Sequence, residues 1–139
     1  MSFVTTRLRD TVVASAGDGG YVTIKATFAS DTATNLILDG HDLDGFANGA
    51  KLDLLRAWWS FSIGNYDTDN SNDCIIEFVS TGTDVVALHL SGTGHYDGTA
   101  GAIKGTAVNT TATSSDITAQ TKTTSGFVIL EFKKDGNYA

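Results

Sequence analysis

Apolar and polar side chains alternate along much of this chain, with the period of two that is typical of a half-buried β-strand. In residues 21–28 every second residue is apolar. Residues 55–63 repeat this pattern, which predicts that Trp59 points into the core while Trp58 stands on the more polar face. Residues 74–79 are apolar on both faces apart from Glu77, and this is typical of a central strand.

Further strands are predicted on the same basis. Clear alternation continues in residues 84–90 and 127–134, and weaker strand signals occur in residues 3–13, 34–38 and 103–108. Only residues 43–55 could hold a short helix, and glycines interrupt them. Residues 109–124 are rich in threonine and serine, with Ile117 as the one strong apolar residue, and are predicted to form a long polar loop.

Short strands separated by turn signals predict an all-β protein, an antiparallel β-sandwich with a jelly-roll-like arrangement. A length of 139 residues fits one domain, which covers residues 1–139. Within it, residues 1–13 are a candidate N-terminal arm. No apolar stretch resembles a signal peptide or a membrane span, so we expect the chain to be made in the cytoplasm.

Composition agrees with this fold class. Glu77 and Glu131 are the only glutamates among 16 acidic residues, and the remaining aspartates favour turns over helices. The net charge of -7 opposes binding to nucleic acid or to an anionic membrane. Cys74 is the single cysteine, so no intramolecular disulfide can form, and its apolar neighbours predict a buried, unreactive thiol.

The acidic segment YDTDNSNDC, residues 66–74, is the first candidate for chemistry. Asp67, Asp69 and Ser71 match the first three ligand positions of a helix-loop-helix calcium site. The glycine and the glutamate that this loop requires further on are missing, and the flanks are strand-like, so that interpretation fails. Two interpretations remain: a solvated turn, and a different calcium geometry that also uses Asp73.

Two other polar clusters are incomplete as binding sites. His41 with Asp42 and Asp44 could bind a metal ion, but the same residues also suit an exposed loop. Residues 91–98 contain a glycine pair after a strand, but the spacing is wrong for a dinucleotide fingerprint and no helical pattern follows. A flexible loop is the prediction for this second cluster.

The sequence contains no complete catalytic set. Cys74 lacks a motif that would place a histidine beside it, and no nucleophile elbow occurs. His89 lies within a predicted strand, where a packed or edge histidine is expected. Glu77 and Glu131 are either a carboxylate pair for glycoside hydrolysis or isolated residues that face solvent. We therefore predict a non-enzymatic protein, with no cofactor and no assigned metal ligand.

Two resemblances to known families bear on function. The strand pattern of residues 57–63, 75–78 and 86–90 resembles the central meander of laminin-G and concanavalin-like jelly rolls, over roughly a third of the chain. The whole chain resembles the small decoration, or cement, proteins of tailed-bacteriophage capsids. That resemblance rests on size, a composition rich in threonine, glycine and aspartate, the lack of a signal peptide and a cysteine framework, and the leading segment SFVTTRLR.

The second resemblance implies a virion structural protein that sits on the outside of the capsid and reinforces contacts between capsomers. The expected partners are the major capsid protein and further copies of the same chain, as a homotrimer, after synthesis in the host bacterial cytoplasm. Predicted contact residues are Phe3, Arg7, Arg9 and Trp58. The two arginines either dock onto an acidic shell or protect an exposed strand edge.

The alternative function is a carbohydrate-binding module, with or without calcium. An exposed indole is a frequent interface anchor and also a surface on which a sugar ring can stack. Trp58 is the residue that either function would use.

Overall fold

The structure, a computed structural model, describes residues 2–11, 20–47, 50–62, 73–79, 84–99, 101–105, 116–135 and 138. These ranges contain nine strands and one 3₁₀ turn, Gly40–Asp42. The strands are β1 (Ser2–Asp10), β2 (Tyr21–Asp31), β3 (Thr34–Leu38), β4 (Leu52–Phe61), β5 (Cys74–Phe78), β6 (Val85–Leu90), β7 (Thr93–Tyr96), β8 (Ile117–Thr121) and β9 (Thr124–Lys134). None of the described residues forms a helix long and apolar enough to cross a membrane.

The strands form two antiparallel sheets that pack as a sandwich. One sheet has five strands in the order β1-β2-β9-β4-β7, and the other has four in the order β3-β8-β5-β6. Their inner faces are apolar because alternate residues of each strand point inward. Typical members of this core are Ile24 and Leu130 from the larger sheet and Ile76 from the smaller one, none more than 2% exposed.

The strand pairing defines a jelly roll. Strand β2 pairs with β9, β3 with β8, β4 with β7, and β5 with β6. The run from β2 to β9 is therefore one long hairpin, folded over so that its strand pairs alternate between the two sheets. The β4–β9 and β5–β8 ladders join the folded parts. This confirms the predicted all-β, jelly-roll-like sandwich.

Several predictions about individual elements were wrong. The second half of the predicted loop at residues 109–124 is strand β8, in which Ile117 and Ala119 are fully buried; residues 109–115 lie outside the described residues. Threonine is a good strand residue, so a threonine-rich sequence could join the sheet with only one large apolar anchor. The described residues of 43–55, the range considered for a short helix, form none, and Leu52 begins β4.

The N-terminal segment forms the edge of the five-stranded sheet. Strand β1 pairs with β2 from Ser2 opposite Ala29 to Asp10 opposite Val22, with a bulge between Arg7 and Arg9. Residues 12 and 13 of the candidate arm lie outside the described residues. The three strands that suggested a meander do not form one, because β4 belongs to the larger sheet and β5 and β6 to the smaller.

Candidate functional site

The outer face of the five-stranded sheet carries the clearest candidate site, and we call it the basic face. Its members are Arg9 on β1, Lys25 on β2, Asp53, Arg56 and Trp58 on β4, His95 on β7, and Ile129, Glu131 and Lys133 on β9. They share one side because their immediate neighbours along each strand point into the core. The sequence therefore builds this face as the polar half of its alternation.

Trp58 lies in the middle of a row across the basic face. The register places it opposite His95 on one side and Ile129 on the other, and Ile129 lies opposite Lys25. The Trp58 side chain is 38% exposed. By contrast, Trp59 packs against the core and its Nε1 donates to the Ser91 carbonyl at 3.1 Å. The predicted division between the two tryptophans is confirmed.

A second row holds two arginines on either side of a glutamate. Nη2 of Arg9 lies 3.5 Å from one carboxylate oxygen of Glu131, and Nη1 of Arg56 lies 3.7 Å from the other. Both arginine side chains remain about half exposed, at 45% and 54%. The Arg9 guanidinium also lies over the ring of Tyr21, 5.2 Å from its centroid. Glu131 thus holds two solvent-facing cations in place across the sheet.

Positive charge is concentrated on this sheet. Six of the nine lysines and arginines lie in its strands, namely Arg7, Arg9, Lys25, Arg56, Lys133 and Lys134. The strands of the four-stranded sheet contain none. The whole chain carries a net charge of -7, and only five of its 16 acidic residues lie within the bounds of these nine strands, namely Asp10, Asp31, Asp53, Glu77 and Glu131. The molecule therefore presents one basic surface on an acidic body.

The structure brings together two of the four predicted contact residues. Arg9 and Trp58 both lie on the basic face. Phe3 lies on the other side of β1, where its ring stacks on Phe28 with centroids 6.5 Å apart. Arg7 also points to that side and lines a cleft of about 390 Å³ between β1 and β3. Its Nη1 donates to the Asp42 carbonyl at 3.3 Å.

A separate polar cluster forms beside the 3₁₀ turn. One ligand atom from each of Asp39, His41 and Asp116 lies within 4.8 Å of the others, a geometry that could hold a divalent cation. The Asp116 carboxylate is buried and accepts a hydrogen bond from the Gly40 amide at 3.1 Å. Burial, reinforced by the charge of Asp39, raises the pKa of Asp116 to about 6. Sequence reasoning missed Asp116 because it lies just before β8, more than seventy residues from Asp39 and His41.

Of the metal cluster considered from the sequence, only His41 joins this group. Asp42 and Asp44 use backbone atoms elsewhere: the Asp42 carbonyl accepts from Arg7, and the Asp44 amide donates to Asp10 at 3.1 Å. Asp67, Asp69 and Ser71 of the calcium candidate lie outside the described residues.

The catalytic candidates do not converge within the described residues. Glu77 lies on β5 and Glu131 on β9, and they point outward from opposite sheets, so they cannot form a carboxylate pair for glycoside hydrolysis. Burial and the charge of Asp84 raise the pKa of Glu77. Cys74 is fully buried, and that burial, helped by neighbouring carboxylates, raises the pKa of its thiol to about 12. The predicted burial of this thiol is confirmed.

The remaining histidines have local partners only. Nε2 of His89 lies 3.1 Å from Oδ2 of Asp73, on the outer face of the four-stranded sheet beside a groove of about 370 Å³. Asp97 accepts hydrogen bonds from the amide and the hydroxyl of Thr99, which, with the nearby charge of His95, lower its pKa.

No family model, curated protein or solved structure matches this chain.

Proposed function

We propose that this protein is a virion structural protein, a decoration or cement protein that binds the outside of a phage capsid and reinforces contacts between capsomers. In this proposal the basic face contacts the major capsid protein, after synthesis in the host bacterial cytoplasm. The observation that supports it best is Trp58, a half-exposed indole among arginines and lysines on a rigid sheet. Tryptophan and arginine are the residues most enriched among interface hot spots.

The fold supports the proposal by analogy. Jelly rolls are frequent in viral capsid and lectin domains, although a shared architecture does not establish a shared function. A cement protein needs a stable body and contact surfaces but no catalytic group. The described residues fit this requirement, because they contain a broad exposed face and no converging nucleophile and base.

We also propose that the protein assembles as a homotrimer. Edge strands with exposed apolar residues are ready to pair or pack with a neighbour. Strand β6 has Val85 and Val86 at its start, 41% and 54% exposed, and strand β1 has Val4 and Leu8 at 60% and 54%. Sedimentation equilibrium should give three times the chain mass, and a monomer at all concentrations would contradict the trimer.

The decisive experiment is co-sedimentation with capsids that lack the protein. Wild-type protein should bind these shells, and Trp58→Ala should weaken binding by about tenfold or more, as is typical of a hot-spot residue. Leu36→Ala is the matched control, because Leu36 is 47% exposed on the other sheet. Absence of shell binding by the wild type would refute the proposal. If Trp58→Ala and Leu36→Ala bind shells equally well, the basic face is not the surface that contacts the capsid.

The second candidate is a carbohydrate-binding module, which the position of Trp58 beside His95 favours. An indole on a sheet face can stack on a sugar ring while a neighbouring side chain bonds its hydroxyls. A module of this kind should be retained on a polysaccharide column, and Trp58→Ala should abolish retention. Adding a chelator then distinguishes calcium-dependent from calcium-independent binding.

A further inference from the structure

We infer that the basic face binds an acidic protein surface, on which aspartate and glutamate side chains surround an apolar pocket for Trp58. The inference rests on the proposed function for the identity of the partner. The chemical character of the partner is inferred from the charges and the aromatic ring of the basic face itself.

The first argument is the uneven distribution of charge. Arg9, Lys25, Arg56 and Lys133 all face outward on this sheet. Two carboxylates share the face with them: Glu131, between the two arginines, and Asp53, which lies opposite Lys133 and pairs with Lys104. Against a chain of net charge -7, such a face orients the whole molecule toward a negative partner. Complementary potentials of this kind raise association rates and suppress wrong partners.

The second argument is that both arginines keep unused donors. A guanidinium has five N–H groups, and each arginine makes one contact of 3.5–3.7 Å with Glu131. The remaining donors of Arg9 and Arg56 are exposed and can bind a carboxylate with two parallel hydrogen bonds. Because both guanidinium groups contact the carboxylate of Glu131, at 3.5 and 3.7 Å, they lie close together and present their remaining donors to one acidic patch of the partner.

The third argument concerns the apolar centre. Trp58 lies two residues from Arg56 on the same strand, about 7 Å away, and Ile129 is opposite it in the register. An apolar contact ringed by charges is the usual anatomy of a protein interface. A purely phosphate-binding or sulfate-binding surface would have no use for this centre.

Charge repulsion also excludes one partner for the basic face, namely the basic face of a second copy. If two copies met face to face, each would bring its arginines and lysines against those of the other, and like charges across an interface cost several kcal/mol. The surface that the basic face binds is therefore not another basic face.

The test uses a random glutamate–tyrosine copolymer as an acidic polypeptide probe, with heparin as the acidic polysaccharide comparison. Full-length protein should bind the copolymer, and binding should weaken steeply between ~50 mM and ~300 mM salt because the contacts are exposed. Arg56→Glu should weaken binding by about tenfold or more. Lys51→Glu makes the same charge change at an exposed position before β4 and should have a much smaller effect.

Glu131→Gln is the sharpest variant, because a gain of affinity cannot result from misfolding. Removing this carboxylate leaves Arg9 and Arg56 without the acidic partner that they share, so the copolymer should bind about threefold to tenfold more tightly. Weaker binding, or equal effects of Arg56→Glu and Lys51→Glu, would overturn the inference. A clear preference for heparin would overturn it in favour of a polysaccharide.

The same variants separate the two proposals on shells. If the protein binds shells and this binding depends on Trp58 but not on Arg56 or Glu131, the decoration function stands and the acidic-surface inference fails. If the charge variants change the binding of the copolymer but the protein does not bind shells, the acidic-surface inference stands and the decoration function fails.

Discussion

The ammonium group of Lys134 donates a hydrogen bond to the carboxylate of Asp10, in a place where neither side chain is solvated. Lys134 is completely buried and the Asp10 side chain is 9% exposed. The same Nζ donates to the carbonyls of Thr11 and Asp44, both at 2.9 Å, so all three of its protons are used. This contact joins the end of β9 to the end of the edge strand β1.

Removing one partner of this pair should destabilise the fold strongly. Lys134→Met leaves the buried Asp10 carboxylate with only the partly exposed Arg7 guanidinium, at 3.5 Å, as a cation. We expect the free energy of unfolding to fall by about 3 kcal/mol. Urea denaturation followed by fluorescence measures the change. Lys133→Met is the control, because its side chain is exposed and its loss should cost less than about 0.5 kcal/mol. Similar losses in both variants would contradict a buried ion pair.

Gly126 should not tolerate a side chain. Its φ is +138°, and a Cβ there would lie 2.1 Å from the Ser60 carbonyl oxygen on β4. We expect Gly126→Ala to lower the free energy of unfolding by about 3 kcal/mol or more, through strain and loss of the β4–β9 register. Gly101→Ala is the matched control, since Gly101 has φ +94° but open space around it, and should cost about 1 kcal/mol. Thermal unfolding followed by circular dichroism compares the two variants.

Asp116 should make the stability of the protein depend on pH. Its pKa is raised from 3.8 to about 6, so the folded state binds more protons than the unfolded state between these values. Stability therefore falls as pH rises through this window, and the penalty is complete above it. Asp116→Asn removes the buried charge and keeps an acceptor for the Gly40 amide. It should gain on the order of 1–2 kcal/mol at about pH 7.5 and little at about pH 4.

Denaturation of the wild type and of Asp116→Asn at both pH values tests this expectation. A variant that is less stable than the wild type at about pH 7.5 would show that the Asp116 charge is stabilised by a bound cation or another partner.

Cys74 should be unreactive in the folded protein. Its thiol is buried and its pKa is raised to about 12, so at about pH 8 the thiolate fraction is negligible. We expect no reaction with Ellman's reagent over hours under native conditions and one equivalent immediately in guanidinium chloride. Rapid stoichiometric labelling of folded protein would show that β5 opens or that its thiol is exposed.

The alternation of apolar and polar residues along the chain predicted much of the fold. Alternation located β2, β4 and β9, which bury alternate residues over most of their length, and residues 34–38 coincide with β3. Alternation also located β6, although only Leu90 of that strand is buried. Strand β7 was missed because Gly94 makes it resemble a loop. The structure gives the reason for that glycine: a Cβ would lie 2.7 Å from the Trp59 ring. Strand β8 was missed because its threonines are buried by residues that are distant in sequence, and a local pattern does not include these residues.

The site was predictable only in part, because it depends on strand order. The exposure of Trp58 follows from its place in β4, next to an inward Trp59. The contacts of Arg9 and Arg56 with Glu131 join three strands, two of which lie more than seventy residues apart in sequence. Only the order β1-β2-β9-β4 brings them together. The grouping of Asp116 with Asp39 and His41 depends in the same way on β8 lying beside β3.

The central position of β9 has a consequence for biosynthesis. Of the strands in the described residues, β9 is synthesised last, yet it lies between β2 and β4 and supplies the middle of the larger sheet. Until it leaves the ribosome, the earlier strands expose the edges and apolar faces that it will cover. Closure of the sandwich must therefore wait for β9, and nascent chains stalled before Thr124 are the species that chaperones would need to protect.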